Sequence, residues 1–276
     1  MKYKIVLTFL LVQLFSAANA QPFSLKSTGA GKIFHLNIYY GTQGKGAFVQ
    51  YLGQKGIIAL KLQSHKKTVV QGKPMQSRVT YIWNELLEGK INGSYGIVEQ
   101  SGSVLKAWYT RKRDGKYFHL VTAMNAQTDT AANKYFLHGT LITFSPHSGD
   151  LLSFHYPNGT TKTHHLPDFD HPDPQRKATI ADYNFDGYDD VAFSIPDAGM
   201  GVYRTFSIYL YHPGLKQFKE LVEPNDPRAN CSGFCDVTLN QQKKLLMTSC
   251  RGAATWWTDA YRFASGNKLV WVPSVR

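Results

Sequence analysis

The acidic stretch Asp182-Tyr183-Asn184-Phe185-Asp186-Gly187-Tyr188-Asp189-Asp190 leads directly into the apolar run Val191–Ile195. Oxygen-bearing side chains stand at loop positions one, three, five and nine, and glycine stands at position six. A hard cation such as Ca²⁺ takes about six to eight oxygen ligands, and short side chains at alternate loop positions can converge on it. The pattern therefore predicts a Ca²⁺ site with the ligands Asp182, Asn184, Asp186, the Tyr188 carbonyl and Asp190.

The element that follows the loop indicates which kind of calcium site is expected. An EF-hand carries a bidentate glutamate at position twelve and continues as a helix, but position twelve here is Phe193. The run Val191–Ile195 is short and is closed by Pro196, so a β-strand is expected instead. The alternative is an acidic turn without a metal, because Asp, Asn and Gly are common turn formers.

These residues resemble a known class of protein. The Asp-x-Asn-x-Asp-Gly-x-x-Asp pattern before an apolar strand is similar to the calcium loop of integrin-type FG-GAP and VCBS propeller repeats. The segments Gly252–Phe263 and Ser265–Leu269 extend the likeness to the calcium-binding half-propeller immunity proteins that bacteria with killing type IV secretion systems keep in the periplasm. The resemblance covers about residues 175 to 276. It implies a propeller-like β domain that inhibits a lysozyme-like effector through a surface near the C-terminus.

Side-chain alternation predicts which residues form that surface. If Thr255–Phe263 is a strand, Trp257, Tyr261 and Phe263 share one face and belong to the core. Trp256 and Arg262 then face outward, and an exposed Trp beside an Arg is typical of a binding hot spot. The predicted partner-binding residues are therefore Trp256, Arg262 and Gly252, which is expected to give the backbone room to turn. The alternative is that Trp256 packs under the N-terminal domain.

The first twenty residues have the features of a cleavable secretory signal. Lys2 and Lys4 precede the apolar run Ile5–Val12, and a small-residue site follows at Ala18-Asn19-Ala20. The apolar run is too short to span a bilayer, so a periplasmic or secreted protein without a membrane span is predicted. The net charge is +12, or +10 without the two leader lysines, which favours acidic partners such as anionic envelope polymers. Nucleic acid is not expected as a partner, because the basic residues are scattered and the protein is exported.

Three cysteines, Cys231, Cys235 and Cys250, make one disulfide plausible and leave one thiol over. All three pairings are possible. If the segments 236–239 and 245–249 form a hairpin, Cys235 and Cys250 face each other, so the sequence favours that pair.

The remaining chain predicts an all-β protein. Short alternating segments between Phe34 and Val121 are separated by turn residues, which indicates an antiparallel meander folded into a sandwich or barrel. Residues 157–176 are rich in proline, histidine and aspartate without periodicity, and they are predicted to form a linker. The linker divides an N-terminal β domain of residues 21–156 from a Ca²⁺-binding, propeller-like domain of residues 177–276.

Catalytic motifs are missing from the sequence, so an enzyme is not expected. No nucleophile elbow, zincin helix, phosphate loop or dinucleotide fingerprint is present. Asp189 and Asp190 could be taken for an acid–base pair, but a bound cation would hold Asp190 ionised. The sequence therefore predicts an exported Ca²⁺-binding protein that inhibits a cell-wall hydrolase. The alternatives are an envelope glycan hydrolase and a surface or adhesion module.

Overall fold

The computed structural model describes residues 22–29, 32–70, 73–123, 132–169, 175–197 and 203–273. Within those ranges the chain forms twenty β-strands and two short 3₁₀ turns, with no α-helix. The all-β prediction is confirmed. The predicted signal segment, residues 1–20, lies outside the described residues.

The first eight strands close into an antiparallel barrel, in which β1 pairs with both β2 and β8. Alternate side chains fill its interior, and the largest of them, Trp83 and Tyr95, are almost completely buried. An eight-stranded barrel is just wide enough for side chains to fill it. The barrel, not the sandwich, is thus the architecture of this part, with strands β1 (Phe23–Thr28), β2 (His35–Tyr39), β3 (Phe48–Tyr51), β4 (Ile58–Val70), β5 (Lys73–Leu87), β6 (Lys90–Gln100), β7 (Ser103–Arg111) and β8 (Tyr117–Thr122).

Three four-stranded antiparallel sheets follow the barrel, and in each of them consecutive strands are neighbours. The second sheet contains β9 (Asn133–Leu137), β10 (Thr140–Phe144), β11 (Leu151–His155) and β12 (Thr161–His165). The third sheet contains β13 (Lys177–Ala181), β14 (Asp190–Pro196), β15 (Arg204–His212) and β16 (Gln217–Glu220). The fourth sheet contains β17 (Thr238–Asn240), β18 (Leu245–Gly252), β19 (Thr255–Phe263) and β20 (Leu269–Val272).

The third sheet is buried on both faces. Val191 and Phe193 belong to a core shared with the second sheet. Ala192, which points the other way along β14, belongs to a core shared with the fourth sheet. A strand covered on both sides carries apolar residues on both faces, which is why Val191, Ala192 and Phe193 follow one another directly after the acidic loop.

The predicted domain boundary requires a correction. Residues 157–176 were expected to form a linker, yet β12 lies inside them and pairs along its whole length with β11. The expected boundary at residue 157 therefore cuts through the second sheet. The polar sequence of β12 hid it, because an edge strand with exposed side chains lacks the apolar alternation that marks a strand. A turn at His138 and Gly139 separates β9 from β10.

The disulfide joins Cys231 to Cys250, whose Cα atoms lie 5.5 Å apart, and Cys235 is a buried free cysteine. The predicted Cys235–Cys250 pair is therefore wrong. Cys235 forms an isolated bridge with Thr205 of β15, and its carbonyl accepts a hydrogen bond from the Ser249 amide at 2.8 Å. The expected hairpin forms, but its first strand, β17, begins at Thr238 rather than directly after Cys235. Which cysteine pairs with Cys250 thus depended on the contact between Cys235 and the third sheet.

Candidate functional site

The acidic loop connects β13 to β14 at one end of the third sheet. Two of its residues have left-handed backbone conformations, Phe185 with φ 63° and Gly187 with φ 91°. Gly187 is at the position where the calcium pattern requires a sharp turn, and glycine adopts that conformation without a steric cost. Phe185 has a side chain, so it adopts this conformation at a steric cost. Its ring centroid lies 6.3 Å from that of Phe263 in β19. The loop is therefore held against the fourth sheet.

The polar side chains of the loop bind its own backbone. Asp182 accepts hydrogen bonds from the amides of Asp186 at 3.0 Å and Gly187 at 2.8 Å. Asp186 accepts one from the Tyr188 amide at 2.9 Å, and its other oxygen accepts one from Asn184 Nδ2 at 2.9 Å. Three of the predicted ligands, Asp182, Asn184 and Asp186, thus lie close together in the loop. These contacts also agree with the expected alternative of an Asx-rich turn.

Asp190, the last predicted side-chain ligand, is completely buried. One of its oxygens accepts a hydrogen bond from the Tyr183 amide at 2.8 Å, and the other accepts one from the Tyr211 amide at 2.7 Å. Burial, together with the nearby charges of Asp186 and Asp182, raises the pKa of the Asp190 carboxyl to about 7. A cation beside it would act in the opposite direction and favour the carboxylate.

The chemistry of the donor set fits a hard cation, although the side chains do not surround one point. Among the described residues, no three His, Cys, Asp or Glu side chains converge on a place that could hold an ion. Asp182 and Asp186 would have to turn from the backbone amides toward the ion. The negative charge of the loop favours that change. Within the described residues, no basic side chain pairs with Asp182, Asp186 or Asp190. If a Ca²⁺ ion binds, these residues would hold it with Asn184 and the Tyr188 carbonyl.

Asp189 has a different role from its neighbours. Its carboxylate pairs with Lys45 Nζ at 2.5 Å, and Lys45 lies in the β2–β3 connection of the barrel. The Asp189 carbonyl oxygen is hydrogen-bonded to Nε2 of His138 at 2.7 Å, and His138 lies in the β9–β10 turn of the second sheet. The loop is therefore tied to the barrel and the second sheet as well as the fourth. The sequence did not predict these contacts, since Lys45 and Asp189 are far apart in the chain.

The exposed face of β19 agrees with the predicted alternation. Tyr261 is completely buried, Trp257 is half-buried, and Arg262 is exposed. Trp256 is 50 % exposed, so its ring does not pack under the N-terminal barrel. An indole with this much accessible surface is available to a partner.

Trp256 and Arg262 do not lie side by side. They are on the same face of β19 but six residues apart, which corresponds to about 20 Å along the strand. The cross-strand partner of Trp256 is Arg251 of β18, which is also exposed. Arg251 was missed, although the short turn between Gly252 and Thr255 would have placed it opposite Trp256. Arg262 instead lines a surface pocket of ≈ 420 Å³ that also contains Asn184 and Lys243, next to the acidic loop.

Gly252 has a different function from the one expected. It was expected to give the backbone room to turn, but the left-handed residue of this turn is Ala253, with φ 53°. A Cβ atom on Gly252 would lie 2.5 Å from the ring of Trp257. Gly252 is therefore needed as space for that ring, and so for the packing of the hairpin that carries Trp256.

No known protein family matches the chain, and no curated protein is significantly similar to it. The function must accordingly be inferred from the residues and their arrangement. In the described part of the chain, no helix has the length and apolarity needed to cross a membrane.

Proposed function

We propose that this chain is an exported, Ca²⁺-stabilised binding protein that inhibits a lysozyme-like cell-wall hydrolase. The observation that carries the proposal is the exposed Trp256, held on a rigid strand and flanked by Arg251. Large aromatic and arginine side chains supply most of the binding energy at protein interfaces. The single disulfide supports export, because such bonds persist in oxidising compartments.

The order and packing of the sheets support a half-propeller arrangement after the barrel. Propeller blades are four-stranded antiparallel sheets with consecutive strands as neighbours, and three such sheets follow one another here. The third packs between the second and the fourth through two separate cores. The acidic loop lies between the first two strands of the middle sheet, as a propeller calcium loop would.

Calcium fits this proposal as a structural ion. Its ligands would come from a loop that contacts the fourth sheet through Phe185 and Asn184, and the barrel through Asp189. Asn184 Nδ2 donates to Asn267 Oδ1 at 3.3 Å, which joins the loop to the β19–β20 turn. An ion that orders the loop would therefore also fix the sheet that carries Trp256.

The chemistry of the exposed face suits the active site of the proposed partner. Lysozyme-like enzymes place two carboxyl groups beside the scissile bond, about 5 to 10 Å apart. Arg251 can pair with such a carboxylate through its guanidinium group. Trp256 offers a flat apolar surface of the kind that fills a cleft. The two side chains together would block substrate entry without any reaction.

The test is an inhibition assay with purified lysozyme-like muramidases acting on peptidoglycan, in the presence of Ca²⁺. The wild-type protein is expected to inhibit at least one of them, and Trp256→Ala is expected to weaken inhibition by ~30-fold, the equivalent of ~2 kcal/mol. Arg251→Ala is expected to weaken it as well. Leu215→Ala is the matched control, since Leu215 is 55 % exposed on a turn of the third sheet, and it should inhibit like the wild type.

Two outcomes would contradict the proposal. Peptidoglycan cleavage by the purified chain itself would favour a glycan hydrolase. Unchanged inhibition by Trp256→Ala, with its folding verified by circular dichroism, would place the inhibitory surface elsewhere.

A further inference from the structure

The net positive charge of the chain, apart from the predicted signal segment, comes from the residues of the barrel. Residues 22–123 contain 15 Lys and Arg against 4 Asp and Glu, a net charge of +11. Residues 124–276 contain 14 against 15, a net charge of −1. The basic residues are shared almost equally between the two parts, and the barrel part has a high net charge because it contains few acidic residues. A concentration of one sign in one unit attracts partners of the opposite charge.

Three of these basic residues share the outer face of strands β4 to β7. Lys66, Thr80, Val98 and Lys106 are successive cross-strand partners, so Lys66 and Lys106 lie about 14 Å apart. Arg78 is two residues from Thr80 along β5 and therefore points to the same side. All three basic side chains are exposed. Within the described residues, none of them forms a salt bridge.

Trp108 places an aromatic ring next to Lys106, at the β7 side of this face. Its neighbours Ala107 and Tyr109 are buried in the barrel, so Trp108 points outward with Lys106. The indole lies against Gly96 on β6, where a Cβ atom would come within 2.0 Å of the ring. Lys106 Nζ is 5.4 Å from the ring centroid. The half-buried ring is therefore packed against β6, and the ammonium group of Lys106 lies over it.

We propose that this outer face of the barrel, defined by Lys66, Arg78, Lys106 and Trp108, binds an anionic polysaccharide. The partially positive C–H groups of a sugar ring pack well on the negative face of an indole. The flanking cations bind carboxylate or sulfate groups on neighbouring sugar units. An extended polymer can reach both Lys66 and Lys106, which lie about 14 Å apart on the outer surface of the closed barrel.

A polysaccharide fits this face better than a nucleic acid does. Proteins that bind single strands stack successive bases on several aromatic rings, whereas the face defined above contains one indole, next to Lys106. The disulfide also indicates an oxidising compartment outside the cytoplasm. The surface lies on the barrel and is independent of Trp256 on the fourth sheet.

The experiment compares retention on immobilised heparin and polygalacturonate with binding to poly(dT), as a function of salt. The triple variant Lys66→Ala/Arg78→Ala/Lys106→Ala is expected to bind heparin at least ~10-fold more weakly at 150 mM salt, with a shallower salt dependence, because fewer counterions are released. The matched control is Lys177→Ala/Lys219→Ala/Lys243→Ala, which removes the same charge from exposed positions in the third and fourth sheets. The control should bind within twofold of the wild type.

Trp108 provides a second, charge-independent measurement. Trp108→Ala is expected to lower the affinity several-fold without a change in the salt slope, and Trp108→Phe is expected to restore most of it. Equal weakening by the two triple variants would mean that only net charge matters, and would overturn the proposal. Tighter binding of poly(dT) than of either polysaccharide would overturn the choice of ligand.

Discussion

Removal of calcium should destabilise the protein through the acidic loop. A ligand that binds only the folded state stabilises it by RT ln(1 + [L]/Kd), or ~2.7 kcal/mol at a hundredfold excess over Kd. For a chain of this size, 1 kcal/mol shifts Tm by roughly 2–4 °C. Adding EDTA to the Ca²⁺-loaded protein is therefore expected to lower Tm by ~5–10 °C, measured by scanning calorimetry or circular dichroism.

Two substitutions in the same loop separate calcium binding from general loop damage. Asp186→Ala removes an exposed carboxylate whose only backbone contact is the hydrogen bond from Tyr188, so the fold should survive. It is expected to abolish the response of Tm to Ca²⁺ and EDTA. Asp189→Ala, the matched control, removes the neighbouring carboxylate that pairs with Lys45. Since that pair is about one-third exposed, its loss should cost ~1 kcal/mol or less and leave the calcium response intact.

The reasoning would be refuted in two ways. If EDTA leaves the Tm of the Ca²⁺-loaded wild type unchanged, the loop is an Asx-rich turn and no ion stabilises it. If Asp186→Ala and Asp189→Ala respond to Ca²⁺ alike, an ion binds elsewhere. A titration with Mg²⁺ in place of Ca²⁺ gives a further measurement, because Mg²⁺ demands near-ideal octahedral geometry whereas Ca²⁺ accepts irregular sets of oxygen donors, so the loop should favour Ca²⁺.

Two further predictions concern the disulfide and the glycine beside it. Peptide mapping without reduction should recover Cys231 linked to Cys250, and loss of that bond in a Cys231→Ser variant should cost ~3 kcal/mol, as expected for a loop of this size. Burial raises the pKa of the Cys235 thiol to about 11. Cys235 should therefore be protonated at pH 8 and react with iodoacetamide only after unfolding. Recovery of a peptide that links Cys235 to Cys250 would contradict both statements. Gly252→Ala should lower the free energy of unfolding by ~1–3 kcal/mol through overlap with the adjacent indole. Gly56→Ala, at a position where a Cβ meets no atom within 4 Å, should have little effect, and equal stability of the two variants would exclude the packing role.

The sequence by itself determined the features that depend on neighbouring residues. The apolar run after the acidic loop predicted β14, and alternation along Thr255–Phe263 predicted that Tyr261 is buried and that Trp256 and Arg262 are exposed. Most barrel strands were found for the same reason, since alternate positions must face its apolar interior, but β1 (Phe23–Thr28) lies before the first predicted strand. These are local patterns, and a strand imposes them on its own sequence.

Tertiary structure alone decided which distant residues meet. The barrel closes because β1 pairs with β8, about a hundred residues later, and no local pattern specifies that contact. Cys231 rather than Cys235 reaches Cys250 because Cys235 is held by the third sheet. Four aligned strands bring Lys66, Arg78 and Lys106 together on one surface. Register and sheet order are set by packing over the whole domain rather than by any single segment.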